Sequence, residues 1–163
     1  MLSAAIIEFR TTPPPGLLPN HGLFRIGDNE PVPQPSNITL AVTGASGSYP
    51  TDAMIVLPCS MGTLAAIANG LGANLIQRAA DVCLKENRSL ILCIRETPFN
   101  RIHLRNMQLA SDAGAIIFPA IPTLYNHPQT TEDMARQFVH RVLTHIGLPQ
   151  PGAYQWQPDK PAD

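Results

Sequence analysis

From Ile38 onward, short apolar runs alternate with stretches whose apolar residues recur every three or four positions. Ile38–Thr43, Ala53–Leu57, Ser89–Ile94 and Ala115–Phe118 read as strands. Met61–Leu71, Leu75–Glu86, Ile102–Ala113 and Glu132–Ile146 read as helices. Leu64, Ile67, Ala68 and Leu71 share one face of the first helix, and Leu75, Ile76, Ala79, Val82 and Cys83 one face of the second. Gly114 stops the third; Thr130 or Thr131 caps the fourth, which ends at Gly147. Strands that are apolar throughout and separated by helices bury both faces. The pattern therefore predicts the α/β class, a parallel sheet with helices on both faces. Ligands of such sheets bind beyond the carboxyl ends of the strands, and the chemistry-bearing residues are expected there.

One link breaks the pattern. Only Gly44 to Asp52 separate the first two strands, whereas a parallel crossover takes about a dozen residues or more, usually with a helix. Either these strands are not parallel neighbours or a segment is missing.

Residues Thr11 to Asn37 hold Pro13, Pro14, Pro15, Pro19, Pro31, Pro33 and Pro35. Proline fixes φ and removes a donor, so neither helix nor central strand is expected there. The division expected is a proline-rich, poorly ordered tail over 1–37, an α/β domain over 38–148 and a C-terminal tail over 149–163.

A net charge of -1 gives no electrostatic footprint for nucleic acid or an anionic membrane. A phosphate ligand must then be held by a few placed cations. Cys59, Cys83 and Cys93 form no C-x-x-C pair, and the odd count argues for reduced, buried thiols in a cytoplasmic protein. No apolar run is long enough to span a bilayer, and the first nine residues lack the basic start of a signal peptide. The five histidines show no metal-ligand spacing, so no metal is expected.

Several short motifs carry chemistry. Gly44-Ala45-Ser46-Gly47 follows a strand, and its small residues let backbone N–H groups approach a phosphate or a flat ring; a tight turn explains it equally well. Pro58-Cys59-Ser60-Met61-Gly62-Thr63 joins a strand end to a helix start, where Ser60 is a natural N-cap and the first N–H groups attract an anion. Arg95 ends the third strand and suits a bidentate phosphate clamp, or a plain surface ion pair with Glu96 or an aspartate. Lys85 and Glu86, with Arg78 and Asp81 before them, read as a solvated helix face. Tyr125 lies just beyond the fourth strand, to reach a ligand or brace its loop, and Arg141 stands beside an apolar helix face, where arginine usually snorkels.

Read together, these motifs resemble the UbiX-type flavin prenyltransferases. The matching stretches are Thr43–Gly47, Ser48–Met54, Pro58–Thr63, Arg78–Val82, Leu84–Glu86, Arg95–Pro98, His103–Met107, Tyr125–Pro128 and Arg141–Leu143, in family order and without a gap from about Ser48 to Gly147. The resemblance implies a shortened Rossmann-like flavoprotein fold. It implies transfer of a dimethylallyl group from dimethylallyl phosphate to reduced FMN, without metal, making prenylated FMN for a UbiD-type decarboxylase. Gly44, Ala45 and Ser46 would line the flavin, with Ser46 near N5. Ser60, Met61, Gly62, Thr63 and Arg95 would hold FMN. Tyr125 and Arg141 would bind dimethylallyl phosphate, and Lys85 and Ser46 would serve catalysis. The family assembles as homo-dodecamers.

Two departures stand out. The family has helix, strand, helix and strand between its Gly-Ala-Ser-Gly turn and its Ser-Gly-Ser-Phe/Tyr-Pro-Thr-Asp segment; here the two are fused at Ala45-Ser46-Gly47-Ser48, which implies an internal deletion. The lost segment carries a serine that contacts FMN and a glutamate near the reacting flavin. Gly62 stands where family members often have lysine. The alternative the deletion raises is a catalytically impaired remnant that only binds FMN or phosphate, or only joins an oligomer.

Overall fold

The computed structural model describes residues 47–48, 51–148 and 150–154, together with the backbone of Ala5–Phe9. The chain forms two compact units, Met1–Pro119 and Ala120–Asp163. The expected strand Ile38–Thr43 and the turn residues Gly44, Ala45 and Ser46 lie outside the described residues.

The first unit holds one sheet of order β1-β2-β3-β4, built from β1 (Ala5–Phe9), β2 (Ala53–Cys59), β3 (Ser89–Ile94) and β4 (Ile116–Ile117). Strands β2, β3 and β4 are parallel, as the apolar pattern predicts. Ala53 pairs with Ser89 at the amino ends and Cys59 with Ile94 at the carboxyl ends. The register shifts between Val56 and Cys59, where Pro58 has no N–H to donate. Strand β4 is shorter than expected, but its pairing with β3 continues through Phe118, whose N–H donates to Leu92 O at 2.9 Å and whose carbonyl accepts the Ile94 N–H at 3.1 Å.

Strand β1 is a departure. Five residues of the segment read as tail run antiparallel along β2, with Ala5 opposite Leu57 and Phe9 opposite Ala53. Both edges of β2 are therefore taken, by β1 and β3.

Helices α1 (Met61–Ala68), α2 (Leu75–Lys85) and α3 (Arg101–Asp112) belong to this unit, and α4 (Thr131–His145) to the second. Each starts at a side-chain cap: Ser60, Asn74, Asn100 and Thr130 accept N–H bonds from the third residue on. Each also ends alike. The residue after the C-cap takes a left-handed conformation, at Gly70 (φ +67°), Asn87 (+53°), Gly114 (+104°) and Gly147 (+81°). The next N–H then turns back onto the helix, as from Leu71 to Ala66 O and from Arg88 to Cys83 O. This explains one miss: Gly70 stops α1 at Ala68, so Leu71 leaves the apolar face and is exposed, as is Leu75.

Met54, Val56, Leu90, Leu92 and Ile94 of the sheet meet Leu64 and Ile67 of α1, Ala79, Ala80 and Cys83 of α2 and Ala110 of α3 in one core. The alternate strand residues Ile55, Ile91 and Cys93 are buried too, as a sheet covered on both faces requires. Among the described residues no helix is long and apolar enough to cross a membrane.

Candidate functional site

The carboxyl end of the parallel sheet presents the start of α1. Ser60 Oγ accepts the Thr63 N–H at 3.2 Å and lies 3.1 Å from Thr63 Oγ1. The first turn of α1 carries no acidic residue. Space over Gly62 is open: a Cβ there would meet only Ser60 Oγ, at 3.9 Å. Met61 turns its side chain into the core, leaving its N–H for a ligand. Arg95 leaves β3 beside this turn, its N–H donating to Cys59 O at 3.3 Å while the residue is exposed. Unpaired helical N–H groups, an open glycine and an exposed guanidinium suit a phosphate monoester such as that of FMN.

Beneath this turn lie Cys59 and Cys93. Burial pushes the Cys59 thiol up to about 12. Burial, with a smaller repulsion from Cys59, does the same to Cys93. Burial thus disfavours the thiolate form of both residues, the form a cysteine nucleophile needs.

Lys85 is not part of this end. A helix between two parallel strands runs back against them, so the last turn of α2 reaches the amino end of β3. There Lys85 Nζ pairs with Glu86 Oε1 at 2.8 Å, and the Lys85 hydrogen bond, then its charge, pulls the Glu86 carboxyl below its usual range. Gly47 sits at this same place. A Cβ on it would run into the Glu86 carboxylate and come within 2.9 Å of Lys85 Nζ, and Arg88 Nη2 donates to its carbonyl at 2.6 Å. The structure thus joins Lys85 to Gly47, about a strand length from Ser60 and Arg95. The expectation that every chemical residue falls at the carboxyl ends is corrected for these two. Ser46 lies outside the described residues.

The second unit brings Tyr125 and Arg141 into one cavity of about 360 Å³. Thr123, Asn126, Gln137 and Tyr154 also line it, and no carboxylate does. Arg141 is exposed toward it rather than folded along an apolar face. Asn126 Oδ1 is buried without a partner among the described residues; turned over, the amide presents an N–H donor instead. The Tyr125 and Tyr154 rings meet edge to face, with centroids 5.5 Å apart at 63°. A guanidinium, the His145 imidazole, several neutral donors and an aromatic wall suit an anion bearing an apolar tail. Sequence reading found Tyr125 and Arg141 but not Gln137 or Tyr154. Gln137 lies one helical turn before Arg141 on α4, and that spacing was the available signal. Among the described residues no cluster of His, Cys, Asp and Glu has metal-binding geometry.

Known proteins share this chain's sequence and fold. Residues 45–146 match the family model "Flavoprotein". The chain is 49% identical over 125 residues to a probable UbiX-like flavin prenyltransferase of Sedimentibacter hydroxybenzoicus, covering 77% of this chain and 66% of that protein. It is 48% identical over 113 residues to flavin prenyltransferase UbiX of Neisseria meningitidis serogroup B, covering 69% and 60%. Among solved structures, a dodecameric FMN-dependent UbiX-like decarboxylase from Escherichia coli O157:H7 superposes with a TM-score of 0.68 at 50% identity, covering 71% of this chain and 62% of that one. AnUbiX (PadA1), in complex with FMN and dimethylallyl pyrophosphate, gives 0.71 at 42% identity, covering 80% and 76%. The chain thus spans less than two thirds of the length of these curated relatives. A parallel sheet with a capped, glycine-bearing helix start at its carboxyl end, matched at this identity across most of the chain, establishes that the protein belongs to the flavoprotein family, among the UbiX-type flavin prenyltransferases.

Proposed function

We propose that the chain is a flavin prenyltransferase that joins the dimethylallyl group of dimethylallyl phosphate to reduced FMN. The observation that carries the reading is Tyr125 and Arg141 lining one cavity free of carboxylates among its lining residues. Breaking an allylic carbon–oxygen bond leaves both bonding electrons on the departing phosphate, and a fixed cation lowers the cost of that charge. Arg141 supplies the charge, and the Tyr125 hydroxyl donates a hydrogen bond to the same oxygens.

The first unit takes the cofactor role. The N–H groups of Met61 and Gly62, the Thr63 hydroxyl and the Arg95 guanidinium hold the FMN phosphate, while the Ser60 side chain takes the Thr63 N–H and fixes the start of the helix. Gly44, Ala45 and Ser46 line the flavin ring. Reduced FMN, when bound, supplies the nucleophilic ring atoms that accept the prenyl group. Lys85 takes no part at the Ser60 end of this copy, since Glu86 holds it at the amino end of β3.

The structurally similar relatives include a dodecamer and a complex with FMN and dimethylallyl pyrophosphate. The proposal extends to this chain as a homo-oligomer in the cytoplasm, with a UbiD-type decarboxylase receiving the prenylated FMN. Flavin fluorescence titration of the purified protein, followed by mass spectrometry of the flavin after incubation with dimethylallyl phosphate under reducing conditions, tests it. Saturable binding and a flavin heavier by the prenyl group are expected. Binding without modification selects the impaired remnant, and folded protein that takes up no FMN overturns both readings.

A further inference from the structure

Residues 150–154 stay against α4 through one side chain. Gln137 Nε2 donates to Gly152 O at 3.2 Å, and Tyr154 N–H donates to Gln137 Oε1 at 3.0 Å. One carboxamide thereby engages both a backbone acceptor and a backbone donor, as a paired strand would. Gly152 allows this course with φ at +79°. Ala153 N–H, donating to Gln150 O at 3.1 Å, folds the segment into a turn. The result delivers Tyr154 edge to face onto Tyr125. Gln150, Ala153 and Tyr154 all line the cavity, so the segment supplies part of its wall.

We propose that Gln137 is a positioning residue: its carboxamide latches residues 150–154 across the cavity, so that Tyr154 forms the wall that receives the apolar part of the substrate. This rests on the reading of the cavity as the dimethylallyl phosphate site. It divides the cavity by chemistry. Arg141 and the Tyr125 hydroxyl read the phosphate, whereas the rings of the Tyr125–Tyr154 pair read the hydrocarbon and thereby set the preference for a prenyl phosphate over bare phosphate. An edge-to-face pair leaves one ring face uncovered, and an allyl group packs well on such a face.

The test uses the full chain, Gln137→Ala, Tyr154→Ala and Tyr154→Phe, with two probes, inorganic phosphate and dimethylallyl phosphate, titrated by calorimetry. Exchange of the Tyr154 amide is followed by NMR. Dimethylallyl phosphate should bind about tenfold more weakly to Gln137→Ala and Tyr154→Ala, while inorganic phosphate stays within about twofold. Tyr154→Phe should match the wild type, and the Tyr154 amide should lose its protection in Gln137→Ala. Equal weakening of both probes means a merely structural role and overturns the proposal, as does an unchanged amide. Wild-type protein that binds neither probe overturns the substrate reading, and with it the aromatic wall; the amide exchange still decides the latch.

Discussion

Arg88 Nη2 donates a 2.6 Å hydrogen bond to the carbonyl of Gly47, tying the residues ahead of β2 to the start of β3. Arg88 follows the left-handed Asn87 that closes the end of α2 at Lys85, and its own N–H turns back to Cys83 O. The contact lies at the amino end of the sheet, away from Ser60 and Arg95, but its acceptor Gly47 directly follows Ser46, which is assigned to the flavin ring. Arg88→Ala should lower stability by about 1 kcal/mol, the low end for a hydrogen bond from a charged donor given its partial exposure. Urea denaturation reads this as a lower midpoint.

Ser60 has two duties that can be separated. Ser60→Ala removes the cap of α1 and should cost about 1 kcal/mol and weaken FMN together. Ser60→Asp restores a cap but sets a carboxylate where the FMN phosphate is assigned. It should keep wild-type thermal stability and lose FMN affinity by about tenfold or more. An Asp variant that binds FMN normally places the phosphate elsewhere.

Helix ends offer a pure backbone test. Nothing lies within 4 Å of a Cβ built on Gly70 or Gly114. Alanine at either meets no clash, yet must hold a positive φ, at a cost of about 1–2 kcal/mol. Asn87→Gly runs the other way and should stabilise by a few tenths of a kcal/mol. Thermal melts of the three variants should order them accordingly.

Stability should fall on the alkaline side. Cys59 and Cys93 ionise near 9 when unfolded but only near 12 when folded. Between those values the unfolded chain holds fewer protons, so the thiols' contribution is complete below about pH 9 and declines as pH rises toward 12. Cys59→Ala with Cys93→Ala should flatten that decline, measured by denaturant midpoints from pH 8 to 11. A thiol reagent at pH 8 should label all three buried cysteines slowly in the native protein and rapidly in urea.

Arg141 and Tyr125 should matter for turnover and hardly for folding, since both are exposed. Arg141→Ala should reduce kcat/KM for dimethylallyl phosphate by about a hundredfold or more, and Arg141→Lys should recover only part of it, because a point charge replaces a bidentate fork. Tyr125→Phe should cost about tenfold. Single-turnover assays monitored through flavin absorbance check all three.

The α/β pattern was plain in the sequence because continuous apolar runs such as Ser89–Ile94 can hardly be anything but buried parallel strands. Ser60 and Arg95 followed from their places at strand ends. Strand β1 was not legible, since five mildly apolar residues before a proline-rich stretch have no periodicity to mark their partner. Lys85 closes the helix that precedes β3, so its place at the amino end of that strand was legible from the order of the elements. The Gln137 latch depends on a backbone turn at Gly152 that no local motif announces.

Strand β1 has a consequence for handling the protein. It covers the flank of β2, whose Met54 and Val56 on one face and Ile55 on the other are fully apolar. A bare flank of this kind recruits strands from other molecules. Trimming the first nine residues, or fusing a rigid tag against them, would leave β2 open to stacking between chains, so precipitation of a shortened chain would report a lost guard strand rather than a failed active site.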